Sequence, residues 1–252
     1  VNWPALSGAL VLLGGWEAAS AAGLLRPVFF PRPSTVAAHW VALAADGTLA
    51  AHTGATLARV GVVLALAAPP AVVVGLVMGI SRRVREGLDP LFAVIYPVPS
   101  ILFLPLASFV LRHPEAAVVL TGAVTPFFLV AYTTLAGVQH LDRTVVEAAV
   151  HYGAVGWRLL GRVLLPGALP FILTGLRLGV GYALIVLVAV EMASARDGLG
   201  ALLWLAWQLL KVEDMYAALL TIAAVGGALA WSLGRLRRWL LPWVVDIAEV
   251  GR

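Results

Sequence analysis

The chain has 252 residues, 62% hydrophobic and 12% charged, with a formal net charge of +4 and a mean hydropathy of +0.97. Soluble domains carry about 25% charged residues, and no water-soluble fold could cover this much apolar side chain with so little polar surface. The absence of cysteine excludes disulfides and thiol chemistry, and the basic excess reads as loop charge orienting a membrane protein, not as a nucleic-acid face.

About 20 apolar residues in a helix cross the hydrocarbon core, so gaps in the charge pattern locate the spans. The first expected span, 4–25, holds one charge, Glu17, for which a structural role is expected. It lacks a small-residue cleavage signature and is expected to be retained. Pro31-Arg32-Pro33-Ser34 is a breaker run with an expected N-cap at Ser34. Val36, Trp40, Val41 and Leu43 then share one helical face up to Asp46-Gly47, the pattern of an amphipathic helix on the outer surface. The second span, 57–80, leads into the basic connection Ser81-Arg82-Arg83-Val84-Arg85.

The third span, 90–111, contains Pro97, Pro99 and Pro105 with Ser100 and Ser108. A helix interrupted this often needs its freed carbonyls satisfied by neighbours or by water in a cavity, which makes Pro97, Pro99 and Ser100 candidates for a hinged pathway lining. The fourth span, 116–135, precedes a cytoplasmic loop over 136–170. In the fifth, 171–192, Arg177 and Glu191 are charges at membrane depth and hence pathway candidates, with snorkelling and helix capping as the bland readings. Asp197-Gly198-Leu199-Gly200 opens a second outer segment carrying Trp204 and Trp207, and the sixth span covers 214–233.

Ten of the 17 basic residues fall in alternate connections or at Arg252, against five in the other connections. The positive-inside rule therefore puts the 136–170 loop and the C-terminus in the cytoplasm. The five histidines show no pairing at helical spacing, so no metal site is expected. The few intramembrane charges are too dispersed for a membrane-embedded enzyme.

Glu147–Pro166 reads EAAVHYGAVGWRLLGRVLLP. Glu147-Ala148-Ala149, then Gly153, then Val163-x-Leu165-Pro166 resembles the EAA loop of bacterial ABC importer permeases, with Val163 in place of the usual isoleucine. The similarity extends over nearly the whole chain and is greatest to the nitrate, sulfonate, taurine and bicarbonate importer family. Supporting residues are Phe30 to Ser34, Ser81-Arg82-Arg83, Pro97-Val98-Pro99, Leu104-Pro105-Leu106, Leu173 to Arg177, and Ala189 to Met192 with Gly198-Leu199-Gly200. Where relatives often carry Trp-Phe-Gly and Gly-Glu, this chain has Phe109 to Glu115.

The resemblance implies an all-α membrane protein with six transmembrane helices. It also implies the type I permease fold, a cytoplasmic coupling helix, and a single permease domain over 1–252. It implies two separate ATP-binding subunits, a second permease copy and an external solute-binding protein. With no P-loop here, ATP and Mg belong to the partner, and no cofactor is expected in this chain. A short amphipathic helix can dock into an ATPase groove. Glu147 is expected near its start, Gly153 at its terminating turn, and Leu165-Pro166 where the chain breaks on re-entering the membrane. The expected solute is small and polar, with Arg177 favouring an anion. A secondary transporter, or another polytopic membrane protein without an ATPase, is the alternative.

Overall fold

A computed structural model describes residues 3–242, which form helices and connections with no strand; Arg252 and the expected cytoplasmic terminus lie outside the described residues. The helices are α1 (Trp3–Ala21), α2 (Pro33–Ala45), α3 (Thr48–Ile80), α4 (Arg82–Ile95), α5 (Leu104–Leu111) and α6 (Pro114–Gln139). They continue as α7 (Arg143–His151), α8 (Trp157–Leu159), α9 (Leu165–Ser194), α10 (Leu199–Gln208) and α11 (Val212–Leu240). Among the described residues, four helical stretches are long and apolar enough to cross a membrane: Thr48–Ile80, Pro114–Gln139, Trp157–Ser194 and Val212–Leu240.

The expected third span is not one straight helix. Arg82–Ile95 and Ser100–Leu111 meet at 92°, and together they count as a fifth candidate. Pro97 and Pro99 remove two backbone donors in three residues, so the ladder cannot continue through them. The basic run after the second span is also more ordered than a loop. Ser81 caps α4 by accepting from the Val84 N–H at 3.4 Å, and Arg82 pairs with Glu86 one turn on at 2.6 Å.

Within the described residues the chain groups into two compact units. One lies within Val1–Leu57 and Glu191–Val225, the other within Ala58–Val190 and Gly226–Arg252.

In the first unit, Leu49, Leu202 and Ala218 form a small core flanked by Leu43 and Leu203. The helix expected at the outer surface is α2, and its start departs from expectation. Arg32, not Ser34, holds the N-cap position, and Pro33 begins the helix. Ser34 instead donates its backbone N–H and hydroxyl to the Glu17 carboxylate of α1, at 3.0 and 2.8 Å. Glu17 therefore caps α2 from another helix, because α2 lacks a side-chain cap of its own. Val36 is buried, and the Trp40 indole donates to Thr221 Oγ1 at 3.0 Å, whereas Val41 points outward at 59% exposure. Between α2 and α3 the Thr48 backbone N–H, and then its hydroxyl, hold the Asp46 carboxyl below its ordinary value.

The second unit packs α3, α4 and α6 around Ala71, Met78, Phe92, Phe128, Val130, Ala131 and Leu135. Phe92 stands edge-on to Phe128 and Tyr132, with centroids at 4.8 and 5.3 Å. Gly75 and Gly79 on α3 let the backbone close on α6. A Cβ on the first would lie 2.5 Å from the Ala131 carbonyl oxygen, and on the second 2.6 Å from Val138. Small residues four apart permit this approach between membrane helices.

Candidate functional site

The EAA segment builds α7 and the turn that ends it. Asp142 starts the helix by accepting from the Thr144 N–H at 2.8 Å. Glu147 is then fifth of nine residues, not near the start as expected, and its carbonyl faces His151 Nδ1 at 2.8 Å. At the far end the Ala154 N–H donates to the Ala149 carbonyl and the Gly153 N–H to the Val150 carbonyl, both at 2.9 Å. That bonding pattern, with Gly153 at φ +84°, is a Schellman stop. Of the EAA triplet, Glu147 and Ala148 are exposed and Ala149 is half-buried.

The turn and the start of α8 leave large apolar side chains uncovered: Tyr152 is 92% exposed, Trp157 81% and Val155 63%. Behind α7 a cavity of about 610 Å³ is lined by Arg85, Gln139, Arg143 and Glu147 together with the ends of α3 and α6.

Leu165 and Pro166 do not break the chain on the way back. Trp157–Ser194 runs as one 38-residue helix, and Leu160–Leu164 is a π-helical turn just before Pro166. A proline ring clashes with the carbonyl four residues back, and the wider turn relieves that register, so the helix passes through. Both residues lie at the start of α9, exposed.

The broken span makes a second site. Pro97, Pro99 and Ser100 line a cleft of about 380 Å³ with Tyr96, Thr125 and Tyr182. The Ser100 and Thr125 hydroxyls bond to each other across it. Ile185, Val186 and Ala189 extend the α9 wall at helical spacing. Arg177 is not among the lining residues; it is exposed and makes no ion pair among the described residues.

Glu191 is also outside the cleft, fully buried in the first unit. Thr56 Oγ1 lies 3.0 and 2.9 Å from its two oxygens, and the Gly200 N–H donates to Oε2 at 3.0 Å. The Leu199 N–H donates to Thr56 Oγ1 at 2.8 Å. One helical turn before Thr56, His52 Nδ1 lies 2.8 Å from the Gly198 carbonyl oxygen and 3.1 Å from its nitrogen. The five candidate pathway residues thus divide: Pro97, Pro99 and Ser100 meet at one cleft, and Arg177 and Glu191 do not.

Residues 71–246 match the family described as binding-protein-dependent transport system inner membrane component. The chain belongs to that family. It is a multi-pass ABC importer permease, a non-catalytic membrane subunit with the type I permease fold. It is 36% identical over 238 residues to the taurine transport system permease protein TauC of Escherichia coli, covering 92% of this chain and 86% of that one. A putative aliphatic sulfonates transport permease protein, SsuC of Bacillus subtilis, is 28% identical over 92% of this chain and 84% of its own length. The bicarbonate transport system permease protein CmpB of Synechococcus elongatus is 30% identical over 75% and 69%.

Several residues escaped the sequence reading. Thr56 and His52 are single polar residues whose partners lie 135 and 146 positions away. In the second unit, Arg59 is buried on α3 and bonds Glu115 through Nε at 3.0 Å and Nη2 at 2.7 Å. Glu115 stands in the first turn of α6, where the helix dipole favours a carboxylate. Among the described residues no group of three or more His, Asp or Glu could hold a metal ion.

Proposed function

We propose that this permease pairs with an identical copy and carries a small oxyanion-bearing solute inward, powered by two ATP-binding subunits that receive α7. An external binding protein delivers the solute, α7 and the C-terminus face the cytoplasm, and ATP and Mg bind only to the ATPases.

One observation carries the reading: α7 is capped at both ends by its own chain, yet the turn it ends in exposes Tyr152, Val155 and Trp157. A rigid short helix with aromatic residues at its tip fits helix-in-groove docking. Glu147, Ala148, Ala149 and Gly153 form the coupling element, and Leu165 and Pro166 join it to α9. The solute pathway is assigned to the cleft of Pro97, Pro99 and Ser100, extended by Thr125 and Tyr182. Irregular backbone at membrane depth is tolerated where it lines a cavity, and hydroxyls there offer weak contacts suited to passage.

The relatives named for taurine, sulfonates and bicarbonate support the solute class. Arg177, outside the cleft, no longer supports it. The test is reconstitution in vesicles with an ATPase and a binding protein from the same genome. Uptake of taurine, an alkanesulfonate or bicarbonate that requires ATP is expected. Uptake driven by an ion gradient with the ATPase omitted would make the chain a secondary transporter instead.

A further inference from the structure

Glu191 is a carboxylate at zero exposure in a chain of few charges, and its surroundings show what it holds. Its partners converge on the short connection between α9 and α10. The Gly200 N–H in the first turn of α10 donates to it directly. The Leu199 N–H, the first of that helix, reaches Thr56 Oγ1, whose own hydroxyl proton goes to Glu191. Two of the orphan donors that begin α10 are thereby satisfied, one directly and one through a hydroxyl relay.

Gly198 closes the arrangement. Its φ of +106° and ψ of 163° belong to a region open essentially to glycine alone. A Cβ there would also overlap the Glu191 carboxylate. The carboxylate sits flush against the backbone it organises, with no room for a solute between them. His52, one turn from Thr56 on α3, also bonds Gly198 through Nδ1, to its carbonyl or from its N–H according to the tautomer.

We propose that Glu191 is a positioning residue and not a pathway charge. With Thr56 and His52 it seats α10, and so fixes the outer segment on which delivery from the external side depends. The functional consequence rests on the importer reading above, whereas the seating of α10 does not.

The test uses the absence of native cysteine. Ala206, 3% exposed on the buried face of α10, is replaced in the full complex as an Ala206→Cys reporter of that seating. Its labelling by a membrane-impermeant maleimide should be slow. Adding Thr56→Val or Glu191→Gln should speed it about tenfold, the scale of one lost charge-assisted hydrogen bond. Glutamine keeps one carbonyl acceptor but carries no charge, so the bonds from Thr56 and Gly200 lose their charge assistance.

Thr56→Ser keeps the hydroxyl and should restore slow labelling, and the Thr56 pair keeps the test open if Glu191→Gln fails to assemble. In reconstituted vesicles all three variants should keep the wild-type preference among anionic and zwitterionic solutes. Unchanged labelling in both Thr56→Val and Glu191→Gln would overturn the assignment. So would a Glu191→Gln complex that alters solute preference while Cys labelling stays slow. A wild-type complex that shows no ATP-driven uptake would sink the importer reading alone, because the labelling result reports α10 without it.

Discussion

Two glycine turns with positive φ, one ending α7 and one opening α10, are built on opposite principles. Gly153, at φ +84°, ends α7 in open space: a Cβ there would meet nothing within 4 Å. Gly198, at φ +106°, opens α10 pressed against a buried carboxylate. The nearby glutamates differ in the same sense. Glu147 is exposed, whereas both oxygens of Glu191 are bonded within its own unit. A site finished by its own chain has a structural duty, and a site left open at an ordered surface is shaped for something that arrives. The burial of a charge is therefore a poor guide to a transport role, although charges at membrane depth are functional candidates by default.

The sharpest break of that comparison is Gly198→Ala. The substitution combines a forbidden backbone conformation with overlap on Glu191 and loss of its bond to Gly200, together costing about 3 kcal/mol or more. Thermal unfolding of the purified permease in detergent should show a large drop, or the protein should fail to accumulate. A variant as stable as wild type would mean that the Glu191 seat is loose and that α10 is held elsewhere.

Gly153→Val tests the other turn and should cost less. With no neighbour to strike, only the left-handed backbone is penalised, by about 1–2 kcal/mol. The damage is confined to the end of α7, so membrane insertion should survive while the ATPase co-purifies poorly or hydrolyses ATP without uptake. Gly153→Asn should be milder, since asparagine tolerates that region. Equal effects of valine and asparagine would show that the conformation at residue 153 is not what the partner reads.

The contrast also explains what could be read from the chain. The α7 turn was legible because a Schellman stop is local: Ala149, Gly153 and Ala154 lie within six residues. The departure there was equally local: Asp142 caps the helix, and Glu147, expected near its start, stands in its middle. Prolines announced the broken third span, but nothing in the pattern specified a 92° bend. Pro166 looked like a break and is not, because a π turn absorbs it, and such turns leave no mark in hydrophobic periodicity. The Glu191 seat was illegible for a different reason. Its partner Thr56 lies 135 residues away, and one threonine in an apolar helix signals nothing. Gly75 and Gly79 carried a readable spacing for close helix packing that passed unused.

The smallest effect on the isolated chain, and the most pointed for the comparison, comes from Tyr152→Ala with Trp157→Ala. Tyr152 is 92% exposed and Trp157 81%, so neither contributes much to folding. Surface changes of this kind stay within about 0.5 kcal/mol, and the unfolding temperature should barely move. The same side chains have the character of interface anchors, where truncation costs about 2 kcal/mol or roughly thirtyfold in affinity. Titration of purified ATPase onto the reconstituted permease should therefore lose at least that factor while stability holds. The opposite split, lost stability with unchanged ATPase affinity, would mean that these rings support the fold. If neither quantity moves, the aromatic tip belongs to the bilayer interface, where tryptophan and tyrosine also gather, and α7 must be engaged through another face.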